Sequence, residues 1–217
     1  MILVGQQSRN EQLDQQLLKL GKQIPVIKTP LNNLAGGIEH VDAFIDDQTD
    51  IQPDLLITSG LSVQSKKLKQ FLRKFKPDHH LHFDPGGIEV DTFGSDPELV
   101  PEDLGASIAT VTFGSVDKSF LDSWNDYSVR PKEALSNVFE GAPFSESKAS
   151  HHILKSIPSH LTLHLSNSMP VRYAELFGVS SNIEVRSNRG TSGIDGCTST
   201  VMGTSLVSDL IQVLMTG

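Results

Sequence analysis

Short apolar runs and stretches of helical period take turns along this chain. Ile2 to Val4 is a run of strand length, and Leu13, Leu17 and Leu20 fall on one side of a helix spanning Glu11 to Leu20. Pro25 to Ile27 reads as a second strand. Asn32-Asn33 and Gly36-Gly37 mark a turn, with a short helix expected from Ile38 to Ile45. Asp54 to Ile57 is a buried strand running out into Thr58-Ser59-Gly60. In the next segment Leu68, Phe71, Leu72 and Phe75 keep the i, i+3, i+4, i+7 spacing, while Lys66, Lys67, Lys69, Arg73 and Lys74 take the other positions. An amphipathic helix with a basic outer face is predicted there. His80 to Phe83 is a further strand.

Residues 84–105 are rich in proline, glycine and acid and read as loop. Val116 to Phe139 is helical in pattern around Phe120, Leu121 and Trp124, and Pro131 inside it predicts a kink or a division into two helices. Ser145 to Ile157 is a helix, Leu161 to Leu165 a strand, Met169 to Phe177 a helix and Ile183 to Val185 a strand. A glycine-rich loop then leads to a helix from Cys197 to Val207 and a closing strand from Ile211. Strands separated by helices are βαβ units, so the fold class is α/β, a parallel β-sheet with helices on both faces. Gly141-Ala142-Pro143 and Pro158 bracket a connecting helix. That places a boundary between residues 141 and 160 and divides the chain into residues 1–150 and 151–217.

With 37% hydrophobic and 20% charged residues the chain has the apolar content for a sizeable core. The net charge of −8 argues against a nucleic-acid binder and against attraction to an anionic membrane. It leaves room for a local basic pocket. Cys197 is the one cysteine, so neither an internal disulfide nor a cysteine zinc site forms within the chain, which fits a cytoplasmic setting. No apolar run is long enough for a membrane span. The last residues read as a strand cut at its end, which suggests a truncated piece.

The chemistry concentrates between Ser166 and Gly203. Leu165-Ser166-Asn167-Ser168-Met169-Pro170-Val171-Arg172 and Ser187-Asn188-Arg189-Gly190-Thr191-Ser192-Gly193-Ile194-Asp195-Gly196 are both strand-loop-helix transitions. In a parallel sheet such loops meet at the carboxyl edge, where helix N-termini favour anions. The glycines at 190, 193 and 196 are expected to let the backbone turn sharply and approach a ligand. Their spacing fits neither the dinucleotide fingerprint nor the phosphate loop with its lysine, nor a G-x-S-x-G nucleophile elbow. A tight turn using glycine for geometry alone is the plain alternative. His80, His82 and Asp84 share one strand face and could ligate a metal, although polar surface is the simpler reading. His151-His152 has no partner nucleophile.

Taken together, the Asn167-Ser168-Met169-Pro170-Val171-Arg172 motif and the later Ser187-Asn188-Arg189-Gly190-x-Ser192-Gly193-Ile194-Asp195-Gly196-x-x-Ser199-Thr200 motif resemble the signature of the thiamine-diphosphate-dependent 2-succinyl-5-enolpyruvyl-6-hydroxy-3-cyclohexene-1-carboxylate synthases of menaquinone biosynthesis. Pro53 to Gly60, followed by Lys66 to Arg73, resembles the middle domain of that family. The resemblance implies a Rossmann-like middle domain in residues 1–150 and the opening of the diphosphate-binding domain in 151–217. It implies the reaction of the whole enzyme: decarboxylation of 2-oxoglutarate and addition of the succinyl unit to isochorismate. It further implies thiamine diphosphate and Mg2+ as cofactors and a homo-oligomer, dimer or tetramer, for the full-length protein. The family's activating glutamate and metal-ligand segment have no counterpart here, so the piece alone is expected to be inactive and to bind the cofactor weakly.

By the same resemblance Arg172 and Arg189 would bind substrate carboxylates, a role suited to the planar guanidinium fork. Asn167, Ser168, Lys66 and Lys67 would join them. Ser192, Gly193 and Ile194 would line the cofactor, with Ile194 beneath it. Each has a plainer alternative: solvated arginines, helix capping by Ser168, a core isoleucine, a solvated basic face at Lys66 and Lys67. A different class of function also fits the pattern, namely a stand-alone doubly wound module that binds a nucleotide or small anion without catalysis.

Overall fold

Five strands form the larger of two parallel sheets: β1 (Ile2–Val4), β2 (Val26–Ile27), β3 (Leu55–Ser59), β4 (His79–Phe83) and β5 (Glu98–Val100), in the order β2-β1-β3-β4-β5. The computed structural model describes residues 1–88, 90–110, 114 and 117–217, without the side chains of Lys132 and Ser136. Alternate residues of β1 face opposite ways, as a strand's two-residue period requires. Ile2 and Val4 pack with Leu13, Leu17 and Leu20 of α1 (Glu11–Leu20) and with Leu104 of α4 (Leu104–Thr110). Leu3 packs on the other side with Val41 of α2 (Val41–Phe44), Leu68, Phe71 and Leu72 of α3 (Lys66–Lys74), and Trp124 of α5 (Lys118–Asn137). Helices thus cover both faces, the condition under which an all-parallel sheet is stable. Asn10 and Ser65 begin α1 and α3 by accepting from the amides of Leu13 and Leu68.

α6 (Glu146–Ser156) leads to the second sheet, β6 (Leu161–Leu165), α7 (Met169–Phe177), β7 (Glu184–Arg186), α8 (Gly196–Ser205) and β8 (Ile211–Met215), in the order β7-β6-β8. Its core gathers Leu154, Leu163, Leu165, Val171, Ala174 and Val185, and takes in Leu31 from the first lobe. Asn33 makes two of the hydrogen bonds that tie the lobes together. The Asn33 amide nitrogen donates to the carbonyls of Gln7 and Val185 at 2.8 and 3.0 Å, and its oxygen accepts from the Val185 amide at 2.7 Å. Asn33 thereby stands in for a neighbouring strand on the open side of β7, and it does so at φ 55°, a left-handed backbone that asparagine tolerates. Arg9 adds a guanidinium contact to the Ser181 carbonyl.

Three expectations are corrected. The helix expected from Ile38 to Ile45 is confined to Val41–Phe44, because Ile38 is drawn into a parallel bridge with Ile27. The expected loop of residues 84–105 contains β5 and the start of α4, an edge strand flanked by Pro97 and Pro101. Of the two outcomes expected at Pro131, the division does not occur: one helix runs through it. The ring removes a single donor, the one that would have bonded the Tyr127 carbonyl, and the rest of the helix carries through. Val116, the expected start of that helix, and Glu89, inside the expected loop, lie outside the described residues. Among the described residues no helix is long and apolar enough to cross a membrane.

Candidate functional site

β6 and β7 are adjacent and parallel, so the two motifs that follow them emerge side by side. Asn167, 4% exposed, is the hub. Its amide nitrogen donates to the carbonyls of Asn188 and Gly193 at 2.7 and 2.8 Å, clamping both ends of the glycine loop. Its oxygen accepts from Arg189 Nη1 at 2.5 Å. With both donors spent on the loop, Asn167 acts here as the residue that shapes the loop and aims Arg189. The first lobe braces the same point, since Gln6 donates to the Ser187 carbonyl at 2.8 Å. Ser168 precedes α7 at φ 77° but makes no side-chain cap, so its exposed hydroxyl is free and the capping reading fails. None of the glycines at 190, 193 and 196 takes a left-handed φ; in this loop that conformation falls to Ser192, at 58°. Gly190 faces open space and Gly193 has only the Thr191 hydroxyl near it, at 3.8 Å, so what these glycines provide is room.

Cations converge on this loop. Burial, and then the charge of Arg172, hold the Arg189 guanidinium below its ordinary pKa, and Arg189 Nε is buried without a partner. Arg172 is exposed one turn into α7. From the first lobe comes Lys69, half-buried on α3. Its ammonium is lowered first by burial, then by Arg189 and Arg73, with Asp42 opposing. Arg73 is held by two bonds to the Thr92 carbonyl, at 3.0 and 2.9 Å. Among the described residues three ion pairs form, Lys28 with Glu39, Lys74 with Asp47 and Arg186 with Glu184, and none involves this group. Arg172, Arg189, Lys69 and Arg73 thus follow one another across the lobes outside any ion pair, with Asp42 the carboxylate felt at Lys69, a predominantly positive arrangement that can attract an anion. Lys66 and Lys67 are exposed at the start of α3, and Lys69 is the lysine turned toward the glycine loop. The helical pattern alone flanks the apolar stripe with Lys67 on one side and Lys69 on the other; only the position of the second lobe selects between them.

A cavity of about 460 Å³ opens beside Arg189 and Gly190. Its opposite wall is the carboxyl edge of the first sheet, with Thr58, Ser59, His82 and Asp84 and the apolar Val63, Ile88 and Phe93. Ile194 is 67% exposed, which rules out the core alternative and leaves an apolar surface at the loop. Beneath the site Glu175, one turn beyond Arg172, is fully buried with Oε2 unpartnered. Burial, and then the charge of Asp42, raise it to about 8. His80, His82 and Asp84 do not assemble as ligands: no metal-holding group of His, Cys, Asp or Glu forms among the described residues, and the two histidines share the Thr58 hydroxyl instead. His151 packs against Phe139 and Phe177 and stays apart from the loop.

No protein-family model matches the chain. Among curated relatives, the 2-succinyl-5-enolpyruvyl-6-hydroxy-3-cyclohexene-1-carboxylate synthase of Flavobacterium psychrophilum is 40% identical over 195 residues, covering 84% of this chain and 34% of the relative. The synthase of the same name from Flavobacterium johnsoniae is 33% identical over 100% of this chain and 41% of the relative. The chain belongs to this synthase family. That of Bacteroides thetaiotaomicron is 37% identical over 76% of the chain and 29% of the relative. The chain therefore spans about a third of the length of the synthases it matches. At up to 40% identity, the pairing of the two loop motifs is the sequence signal that had pointed to the family.

Proposed function

We propose that the chain supplies one wall of the active site of a thiamine-diphosphate synthase, in which residues 1–150 are the middle domain and residues 151–217 open the diphosphate-binding domain. The observation that carries this reading is the unpaired cation group, Arg172 and Arg189 from one lobe with Lys69 and Arg73 from the other, around a loop whose glycines leave space. 2-Oxoglutarate and isochorismate both carry carboxylates, and guanidinium forks bind carboxylates in two-point fashion. Arg172 and Arg189 bind and orient substrate carboxylates, the free Ser168 hydroxyl adds a hydrogen bond, and Asn167 keeps Arg189 aimed. Lys66 and Lys67 add positive potential at the rim, which raises the local concentration of anions.

Thiamine diphosphate fits the residues present, because Gly190 and Gly193 leave the loop backbone open to close approach and Ile194 offers an exposed apolar face. Ser192, Gly193 and Ile194 would line it. When bound, it supplies the electron sink for decarboxylation and carbon–carbon bond formation. Mg2+ does not fit the residues described here, which hold no cluster of metal ligands, and no step is assigned to it. The full-length protein acts in menaquinone biosynthesis as a homo-oligomer in the cytoplasm, and the 217 residues alone do not turn over.

The test is carbon dioxide release from 2-oxoglutarate by the full-length protein encoded around this chain, with thiamine diphosphate, Mg2+ and isochorismate. Product formation that falls at least about a hundredfold in Arg189→Gln supports the reading. Full activity in both Arg172→Gln and Arg189→Gln contradicts it. The alternative of a stand-alone nucleotide module is disfavoured by the first lobe itself. Between β1 and β3, where such a fold holds its ligand, the backbone closes on itself. Gly5 donates to Ser59, Gln6 to Ser62 and Leu61 to Gln6, at 2.7, 3.0 and 2.9 Å, and a Cβ on Gly5 would lie 2.0 Å from the Leu61 carbonyl oxygen.

A further inference from the structure

Opposite Arg189, the cavity wall contains a side-chain chain that the carboxylate reading leaves unused. His80 and His82 lie on one face of β4, and Thr58 lies beside them on β3, in register with His82. Thr58 Oγ1 is 2.8 Å from His80 Nε2 and 2.9 Å from His82 Nδ1. Its 3.5 Å approach to the Leu81 carbonyl is long beside these. His80 Nδ1 is 2.8 Å from Ser95 Oγ, and Ser95 is held in place because Asp91 accepts from the amides of Gly94, Ser95 and Asp96. The order Ser95–His80–Thr58–His82 thus runs from a half-buried serine to the cavity, where His82 is a wall residue.

A hydroxyl has one proton to give, so the two rings cannot hold the same role toward Thr58 when it donates to one of them. In one arrangement His80 Nε2–H donates to Thr58, Thr58 donates to His82 Nδ1, and His82 presents an Nε2–H to the cavity. In the other every bond reverses, and His82 presents a lone pair. No charge is created or lost between the two. Both rings favour the neutral form: burial, and then His82, bring His80 down to about 4 against the pull of Asp91, and burial lowers His82 against the pull of Asp84. A neutral imidazole backed by a reversible relay is suited to an uncharged polar group, such as a hydroxyl or carbonyl. It is poorly suited to a second carboxylate or to a metal.

We propose that His82 is a specificity-determining residue: it reads a hydroxyl or keto group on a cyclic carboxylic acid whose carboxylate lies on Arg189 and whose ring lies against Val63, Ile88 and Phe93. Thr58, His80 and Ser95 are positioning residues that let His82 serve as donor or acceptor. The assignment rests on the reading of Arg189 as a carboxylate ligand, and the experiment separates the two. The 217-residue protein is titrated with benzoate and with 2-hydroxybenzoate, and the ring nitrogens of His82 are followed by two-bond proton–nitrogen correlation spectra. The expected result is tighter binding of the hydroxy acid by about fivefold, the worth of one net hydrogen bond. That preference disappears in His82→Phe, survives in part in His82→Asn, and is reduced in Thr58→Val and Ser95→Ala. The tautomer at His82, single in the unsubstituted protein, becomes mixed in Thr58→Val. Arg189→Gln weakens both acids alike. If both acids bind through Arg189 and the preference is absent or unchanged in His82→Phe, the histidine assignment is overturned and the arginine reading stands. If neither acid binds, or Arg189→Gln changes nothing, both are overturned.

Discussion

In the five-stranded sheet β1 lies between β2 and β3, and in the three-stranded sheet β6 lies between β7 and β8, so the chain lays down the same arrangement twice. The two copies end differently. At the carboxyl edge of the first, the loops after β1 and β3 are stitched backbone to backbone, with glycine used where nothing larger fits. At the edge of the second, glycines face space and Arg172 and Arg189 stand outside the ion pairs of the described residues. The coverings differ as well. Trp124 is fully buried on the first sheet, whereas Met202 on α8, Leu206 just after it and Ile211 on β8 are 61 to 84% exposed. One topology therefore yields a closed edge and an open one, and the decision lies in a few loop residues rather than in the strand order.

The largest effects should fall on the closed side. Trp124→Ala is expected to cost about 3–5 kcal/mol in urea unfolding, against less than about 0.5 kcal/mol for Ile211→Ala on the open side. Equal costs would break the comparison. Next comes Glu175, buried at the seam where α7 meets α2. Its carboxyl ordinarily titrates at 4.5 and is raised to about 8 in the fold. It is neutral in both folded and unfolded protein at low pH, so its penalty is absent there. The penalty grows as pH rises between those two values. Glu175→Gln should leave stability nearly unchanged near pH 4 and raise it by roughly 4 kcal/mol near pH 8, read from thermal unfolding across pH. A pH-independent difference would contradict that. Asn33→Gly keeps the left-handed backbone but removes the three bonds to Gln7 and Val185. It should cost about 2 kcal/mol and raise hydrogen exchange at the Val185 amide above that of Leu163 in the same lobe.

Much of this was legible in the residues. Runs such as Glu11–Leu20, Lys66–Lys74 and Leu161–Leu165 follow directly from period and breakers, because each buries apolar residues enough to leave a pattern. β5 left none: three residues at a sheet edge, one exposed and two half-buried, between prolines. Arg172, Arg189 and Asn167 were legible through the paired motifs. The role of Asn167 as a clamp was not, since Asn188 and Gly193 are brought to it by tertiary structure. Lys69 stayed hidden for the same reason, one of five basic residues on a helix whose second neighbour is more than a hundred positions away. Asn33 looked like a turn residue and is one; its bond to Val185 spans 152 positions and carries no local signal.

The remaining prediction bears on the central claim, that cations from both lobes form one carboxylate site. Calorimetric titration of the 217-residue protein with 2-oxoglutarate measures it. Binding should weaken about tenfold in Arg189→Gln, less in Lys69→Gln than in Arg189→Gln, and least in Lys67→Gln, and it should fall as salt is added. Binding that is absent, or that is untouched by Arg189→Gln and Lys69→Gln alike, would contradict the account.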